Sequence, residues 1–196
     1  TSIPLLMYAD DMALTCTSVE ELVAFLKIMD DVCSECGLCI NAANTEVMAV
    51  TRRGGAPLPA DITLRDGQVQ HEYLGSLVTS DCTLDAEIRT RIGRAAAAFQ
   101  GLRHVWEAPS HKFGVGLKSV VYKTCVLPIL LFGSECWALP DGLSQRLNVF
   151  HNNCLRSILG VRRSDRHSLD YIYARCSEST LISAFTACAS WGMSFA

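Results

Sequence analysis

No stretch of this chain stays apolar for long. Its richest run, Val126 to Phe132, is broken by Pro128 and followed by polar Ser134 and Glu135, well short of the ~20 apolar residues that a membrane-spanning helix needs. A secretory leader is missing too, because the chain opens on Thr1 with no basic lead-in to an apolar segment, and it therefore reads as a fragment. A complete zinc set is absent despite ten cysteines. Cys33, Cys36 and Cys39 form a CxxCxxC run, but no His or fourth Cys lies nearby to close a tetrahedron, and Cys33 and Cys36 fall on one helical face. The other cysteines are scattered through apolar segments, where an unoxidised thiol behaves as a small hydrophobe, so a reducing, intracellular compartment is the simplest inference.

Strong net charge is lacking as well. The whole chain carries only −3, too little for a uniformly basic nucleic-acid binder, yet the charge is unevenly placed. Residues 1–86 hold 4 Lys+Arg against 13 Asp+Glu, or −9, and residues 87–196 hold 13 against 7, or +6. An acidic half suited to a metal and a basic half suited to phosphates is the division that nucleotidyl transfer needs, although surface charge also segregates by chance. At 196 residues and 49% hydrophobic, the chain can bury one good core or two small ones.

What is present begins with Tyr8-Ala9-Asp10-Asp11, set between the apolar runs Ile3 to Met7 and Met12 to Leu14. The flanks predict two buried strands, and the adjacent carboxylates predict a tight turn between them, because burying unpaired carboxylates is costly. A hard divalent cation would offset their repulsion. Next, Ser18 and Glu21 form a capping box, Leu22, Phe25, Leu26, Met29, Val32, Cys33 and Cys36 form a helical stripe, and Gly37 is placed to end the helix. That helix is expected to cover the sheet. Leu38, Ile40 and Val47 to Val50 suggest a return strand that ends at the loop Arg52 to Pro57. Asp66-Gly67 predicts a hairpin turn within alternating residues 62–78, with Tyr73-Leu74-Gly75-Ser76 on the strand after it.

From Thr83 the period becomes helical. Ile88, Ile92, Ala95, Phe99, Leu102 and Trp106 make one stripe, with Arg91 and Arg94 together on its flank. A second helix follows Pro109-Ser110, weakened at Gly114 and Gly116, running through Leu117, Val120 and Val121 and kinking at Pro128. A third starts near Ser144, faces the core with Leu147, Phe150, Cys154, Leu155, Ile158 and Leu159, and closes at Gly160. The fold class is α+β.

Taken in order, these segments resemble the C-terminal half of the reverse transcriptase of a non-LTR (LINE-like) retrotransposon. Tyr8 to Leu14 is similar to the catalytic palm motif, Gly37-Leu38-Cys39-Ile40-Asn41 with Thr45-Glu46-Val47-Met48 to the next palm motif, and Tyr73-Leu74-Gly75-Ser76 to the primer-grip strand. Leu131 to Trp137 and Cys154 to Gly160 resemble the thumb-like region peculiar to these elements. The resemblance implies a palm part over 1–82, a helical thumb-like region over 83–176 and a divergent tail over 177–196.

It also implies chemistry. In two-metal nucleotidyl transfer one Mg²⁺ activates the primer 3′-hydroxyl and the other steadies the departing pyrophosphate. Asp10 is the expected metal ligand, with Asp11 completing the negative field. Tyr8 would lie near the primer end or serve as a core aromatic, and Tyr73, Leu74 and Gly75 would contact the primer. Arg91, Arg94, Arg103, Lys112, Lys118 and Lys123 would follow an RNA template and DNA primer by their phosphates. A dNTP would be the further substrate. Two departures stand out. The family's other metal-binding Asp and its fingers are not in this chain, and Asn44 occupies a position where relatives usually carry a Lys, a candidate for protonating or steadying the departing pyrophosphate. The chain alone is therefore expected to be inactive. The alternative is a decayed or domesticated remnant that binds nucleic acid or protein without catalysis. Nuclear location follows only by analogy, since Arg162-Arg163 is too short an import cluster.

Overall fold

The computed structural model describes residues 5–41, 44–48, 50 and 70–176. The chain forms two compact units, Thr1–Gly75 and Ser76–Ala196. The hairpin expected at Asp66-Gly67 and the tail from residue 177 lie outside the described residues.

In the first unit β1 (Leu5–Tyr8) and β2 (Asp11–Leu14) pair antiparallel, with Leu5 opposite Leu14, Met7 opposite Met12 and Tyr8 opposite Asp11. The two-residue connection Ala9-Asp10 is the expected tight turn, and α1 (Val19–Glu35) follows it. At the start of α1, Glu21 N–H donates to Ser18 Oγ at 3.2 Å, and the Glu21 carboxylate accepts from both Thr17 N–H and Thr17 Oγ1 at 2.9 Å. The Thr17 bonds are the main reason the Glu21 carboxyl lies below the usual carboxylate range. The helix ends as the sequence predicts: Gly37 takes φ 73, and Leu38 N–H closes back on Cys33 O at 2.8 Å.

Two expectations for this unit need correction. The flanking strands are not buried: Leu6, Met7, Tyr8 and Met12 are exposed, and α1 has no buried residue, with Val32 52% accessible. A single two-stranded ribbon covers neither of its faces, so periodicity set the stripe of α1 without supplying a partner to bury it. The return strand is also missing among the described residues of 38–50. In its place Asn44 N–H and Thr45 Oγ1 both donate to Asn41 O, at 3.0 and 2.9 Å, closing a local turn.

A second antiparallel pair joins β3 (Gln70–Tyr73) to β4 (Ser76–Thr79). Tyr73-Leu74-Gly75-Ser76 is therefore a turn and not a continuous strand. Leu74 at φ 48 and Gly75 at φ 81 are both left-handed, the combination whose twist matches a tight hairpin, at a cost of about 1 kcal/mol for the leucine.

The second unit is helical: α2 (Asp85–Gly101), α3 (Arg103–Trp106), α4 (Val115–Cys125), α5 (Leu127–Leu130), α6 (Asp141–Leu159) and α7 (Leu169–Cys176). Ile88 and Ala95 of α2, Tyr122 of α4, Leu130 of α5, Leu147, Leu155 and Ile158 of α6 and Ile172 of α7 are essentially inaccessible and form one core. Each large apolar side chain there contributes roughly 1.5–3 kcal/mol relative to exposure. The stripes of α2 and α6 are those expected, and Gly160 closes α6 at φ 68. The sequence places the start of α6 near Ser144, but it begins at Asp141, with Pro140 preceding it in extended backbone. The helical path breaks at Val126, two residues before Pro128, whose ring disfavours the preceding turn.

The face of α4 departs from its apolar pattern. Leu117 and Val120 are exposed, and Lys118, Ser119 and Tyr122 are buried. Tertiary partners explain the rotation. Lys118 Nζ donates to Trp106 O at 2.8 Å and Ala108 O at 2.7 Å, satisfying carbonyls that the end of α3 leaves open, and Tyr122 Oη pairs with His151 Nδ1 at 2.8 Å. Among the described residues no helix is long and apolar enough to cross a membrane.

Candidate functional site

The Asp10-Asp11 turn is built by the apolar strands on either side of it. Their pairing makes Ala9 and Asp10 the two loop residues, and Ala9 adopts φ 53 to reverse the chain in so short a span. Asp11, opposite Tyr8, shares that tyrosine's face of the ribbon. Both carboxylates are exposed, and neither has a hydrogen-bond or ion-pair partner among the described residues. Tyr8 is 57% accessible, so it is not the core aromatic that the sequence leaves open.

Oxygen donors of this kind suit a hard divalent cation, which keeps several waters and needs only one or two carboxylates from protein. The donor type fits Mg²⁺, and the donor number is partial. No cluster of three or more His, Cys, Asp or Glu side chains able to hold a metal occurs among the described residues. Asn44 sits in the turn that follows Asn41 and carries no ionisable group.

Tyr73, Leu74 and Gly75 form the tip of the second hairpin, with Leu74 exposed. Just beyond it, Leu77 N–H donates to Glu87 Oε2 at 2.8 Å, and Glu87 Oε1 accepts from Arg91 Nε at 2.7 Å. The Arg91 guanidinium also lies 4.5 Å from the centroid of Phe132, a cation–π contact.

The expected phosphate contacts separate into two groups. Arg91 and Lys118 are corrections: they are 4% and 5% accessible and hold the helical unit together from inside. A charge flanking an apolar stripe is usually solvated, but each of these has a partner that compensates its desolvation. Arg94, Arg103, Lys112 and Lys123 are exposed on α2, α3, the following loop and α4. Arg103 pairs with Glu107 at 2.5 Å, one helical turn on. Sequence reasoning singles out neither Glu87 nor His151. An acidic residue at a helix start and a lone histidine carry no signal of burial.

The chain is similar to proteins described as transposon products. The chain is 27% identical over 169 residues to a transposon-derived protein of Caenorhabditis elegans, covering 84% of this chain and 60% of that protein. It is also 27% identical over 162 residues to a Drosophila melanogaster protein described as a probable RNA-directed DNA polymerase from transposon BS, covering 77% of this chain and 18% of the relative. The chain thus spans less than two thirds of the length of either. Both relatives accord with the motif-level resemblance to non-LTR retrotransposon reverse transcriptases. No family model and no solved structure matches the chain.

Proposed function

We propose that this chain is part of an RNA-directed DNA polymerase of the non-LTR retrotransposon kind, contributing the metal-binding turn of the palm and a helical unit that holds template and primer. The observation that carries the reading is the solvent-facing Asp10-Asp11 turn in a chain that resembles, over most of its length, a transposon's RNA-directed DNA polymerase. Asp10 and Asp11 would hold Mg²⁺, which when bound activates the primer hydroxyl and neutralises the leaving pyrophosphate. Exposed and without a partner among the described residues, these carboxylates are available to a cation. Glu87 holds β4 through Leu77 N–H and so braces the start of the helical unit. Exposed Arg94, Arg103, Lys112 and Lys123 supply positive charge for phosphates.

The test is primer extension on an RNA template with Mg²⁺. The 196-residue chain alone is expected to extend nothing, because two carboxylates make only part of a two-metal site. The source element's longer chain is expected to polymerise, and Asp10→Asn in it should lower the rate by at least 10³-fold. Full activity of the Asp10→Asn longer chain sinks the catalytic reading. A second reading, a non-catalytic nucleic-acid-binding remnant, is favoured by Asn44 and the partial donor set. It predicts unchanged, salt-sensitive duplex affinity when Asp10 and Asp11 are both changed to Asn, together with no polymerisation by any longer form.

A further inference from the structure

At the C-terminal end of α6 an open surface depression of about 320 Å³ is lined by Asn153, Arg156, Ser157, Val161, Arg162 and Arg163. Its shape follows from the Gly160 cap. Val161 N–H closes back on Arg156 O at 3.0 Å, so the chain turns sharply and brings Arg162 and Arg163 beside Arg156. None of the three guanidiniums ion-pairs with a carboxylate within 4.0 Å among the described residues. Three arginines against the single nearby carboxylate of Asp165 leave the depression net positive, which favours an anion there. Guanidinium forks match phosphate oxygens two at a time.

The turn that presents them is braced. Asp165 accepts from Arg162 N–H at 2.7 Å and from Ser164 Oγ at 3.1 Å, and Arg166 takes a left-handed φ of 50. Those bonds lower the Asp165 carboxyl, with smaller help from the charges of His167 and Arg162. The bracing carboxylate is thus near both the wall of the depression and His167. There His167 stacks on Tyr171, with centroids 4.5 Å apart and planes inclined by 18°, and Tyr171 is 43% accessible. An exposed aromatic stack a few residues along the chain from an open basic depression complements both surfaces that an unpaired nucleotide presents, a backbone anion and a free base face. Duplex bases are already stacked and cannot use such a platform.

We infer that the Arg156–Arg162–Arg163 depression and the His167–Tyr171 stack form a binding site for single-stranded nucleic acid, with the guanidiniums on its phosphates and the rings under a base. The inference rests on the nucleic-acid reading above and names a site for it outside the metal turn. All four changed residues of the test, Arg162, Arg163, His167 and Tyr171, are exposed, so folding should survive and circular dichroism checks it.

The experiment is fluorescence anisotropy of the 196-residue chain with a labelled single-stranded oligoribonucleotide and with the matching duplex, across a salt series. R162Q/R163Q is expected to weaken single-strand binding about tenfold or more and to flatten its log–log salt slope by about 1.4, near 0.7 for each lost phosphate contact. H167A/Y171A should weaken it about tenfold with the slope unchanged. Duplex affinity should fall by less than threefold in both variants. Wild-type binding that neither variant alters overturns the site and leaves the wider reading standing. Equal losses on duplex and single strand overturn the single-strand assignment. No nucleic-acid binding by wild type overturns both inferences.

Discussion

Glu87 is the residue on which the start of the helical unit depends. Buried to 2% accessibility, it accepts from Leu77 N–H and Arg91 Nε at once. Removing one partner of a buried pair leaves the other charge uncompensated, which costs about 3–5 kcal/mol. Glu87→Ala should therefore lower the unfolding free energy from urea titration by that amount, and the double variant Glu87→Leu, Arg91→Met should recover most of it. Full additivity of the two losses would contradict the pairing. Ser119 presents the opposite case, since its buried hydroxyl has no hydrogen-bond partner among the described residues. Ser119→Ala is expected to raise stability by about 1 kcal/mol in the same assay, because it removes an uncompensated polar group. A loss of stability would show that Ser119 has a partner. Neither residue was legible in the sequence. An acidic side chain in the first turn of α2 and a serine in α4 read as solvated, and only tertiary packing decides otherwise.

Among the elements, legibility followed the range of the interaction. The caps of α1 at Ser18 and Gly37 and the end of α6 at Gly160 are set by residues within one turn, and the sequence shows them directly. The face of α4 depends on distant partners and the turn at Leu74-Gly75 on two successive left-handed residues, and pattern reading misplaced both. The tight turn at Asp10-Asp11 was legible from its apolar flanks, but the burial of those flanks was not. Two element-level predictions follow from local geometry. Gly133 has φ 75, and a Cβ there would lie 2.7 Å from Ser76 Oγ. Gly133→Ala should cost about 1–2 kcal/mol, chiefly through the left-handed backbone, and adding Ser76→Ala should return only a small part of it. Recovery of the whole loss would make the contact, rather than φ, the cause.

The second concerns the loop ahead of α2. Asp81 accepts from Thr79 Oγ1 at 2.7 Å and from Thr83 N–H at 3.1 Å, and these bonds hold its carboxyl below the usual range. A lowered folded pKa means that the stabilisation is fully present above the unfolded value near 3.9 and is lost as pH falls through the folded one. NMR titration should find Asp81 protonating below the ordinary aspartate value of about 3.9. Titration at or above that value would remove the loop's acid sensitivity.

Across the whole molecule, the apolar core is unevenly shared. The helical unit buries Ile88, Tyr122, Leu155 and Ile172 completely, whereas no described residue of β1, β2 or α1 is buried. An uncovered two-stranded ribbon is marginal by itself, so its backbone should exchange with solvent through cheap local openings, and the helical unit should open only near its global stability. Thiols report this difference directly. Burial pushes the Cys154 thiol up to about 12, which leaves almost no thiolate at mild alkaline pH, whereas Cys36 and Cys39 of the first unit are exposed. Treatment with iodoacetamide followed by mass spectrometry should label Cys36 and Cys39 in minutes and Cys154 only as fast as the helical unit unfolds. Urea at the unfolding midpoint should then accelerate Cys154 by orders of magnitude while changing the other two little. Equal labelling rates in native buffer would mean that the core around Cys154 opens as readily as α1, and that the helical unit is no rigid platform for the basic depression at the end of α6.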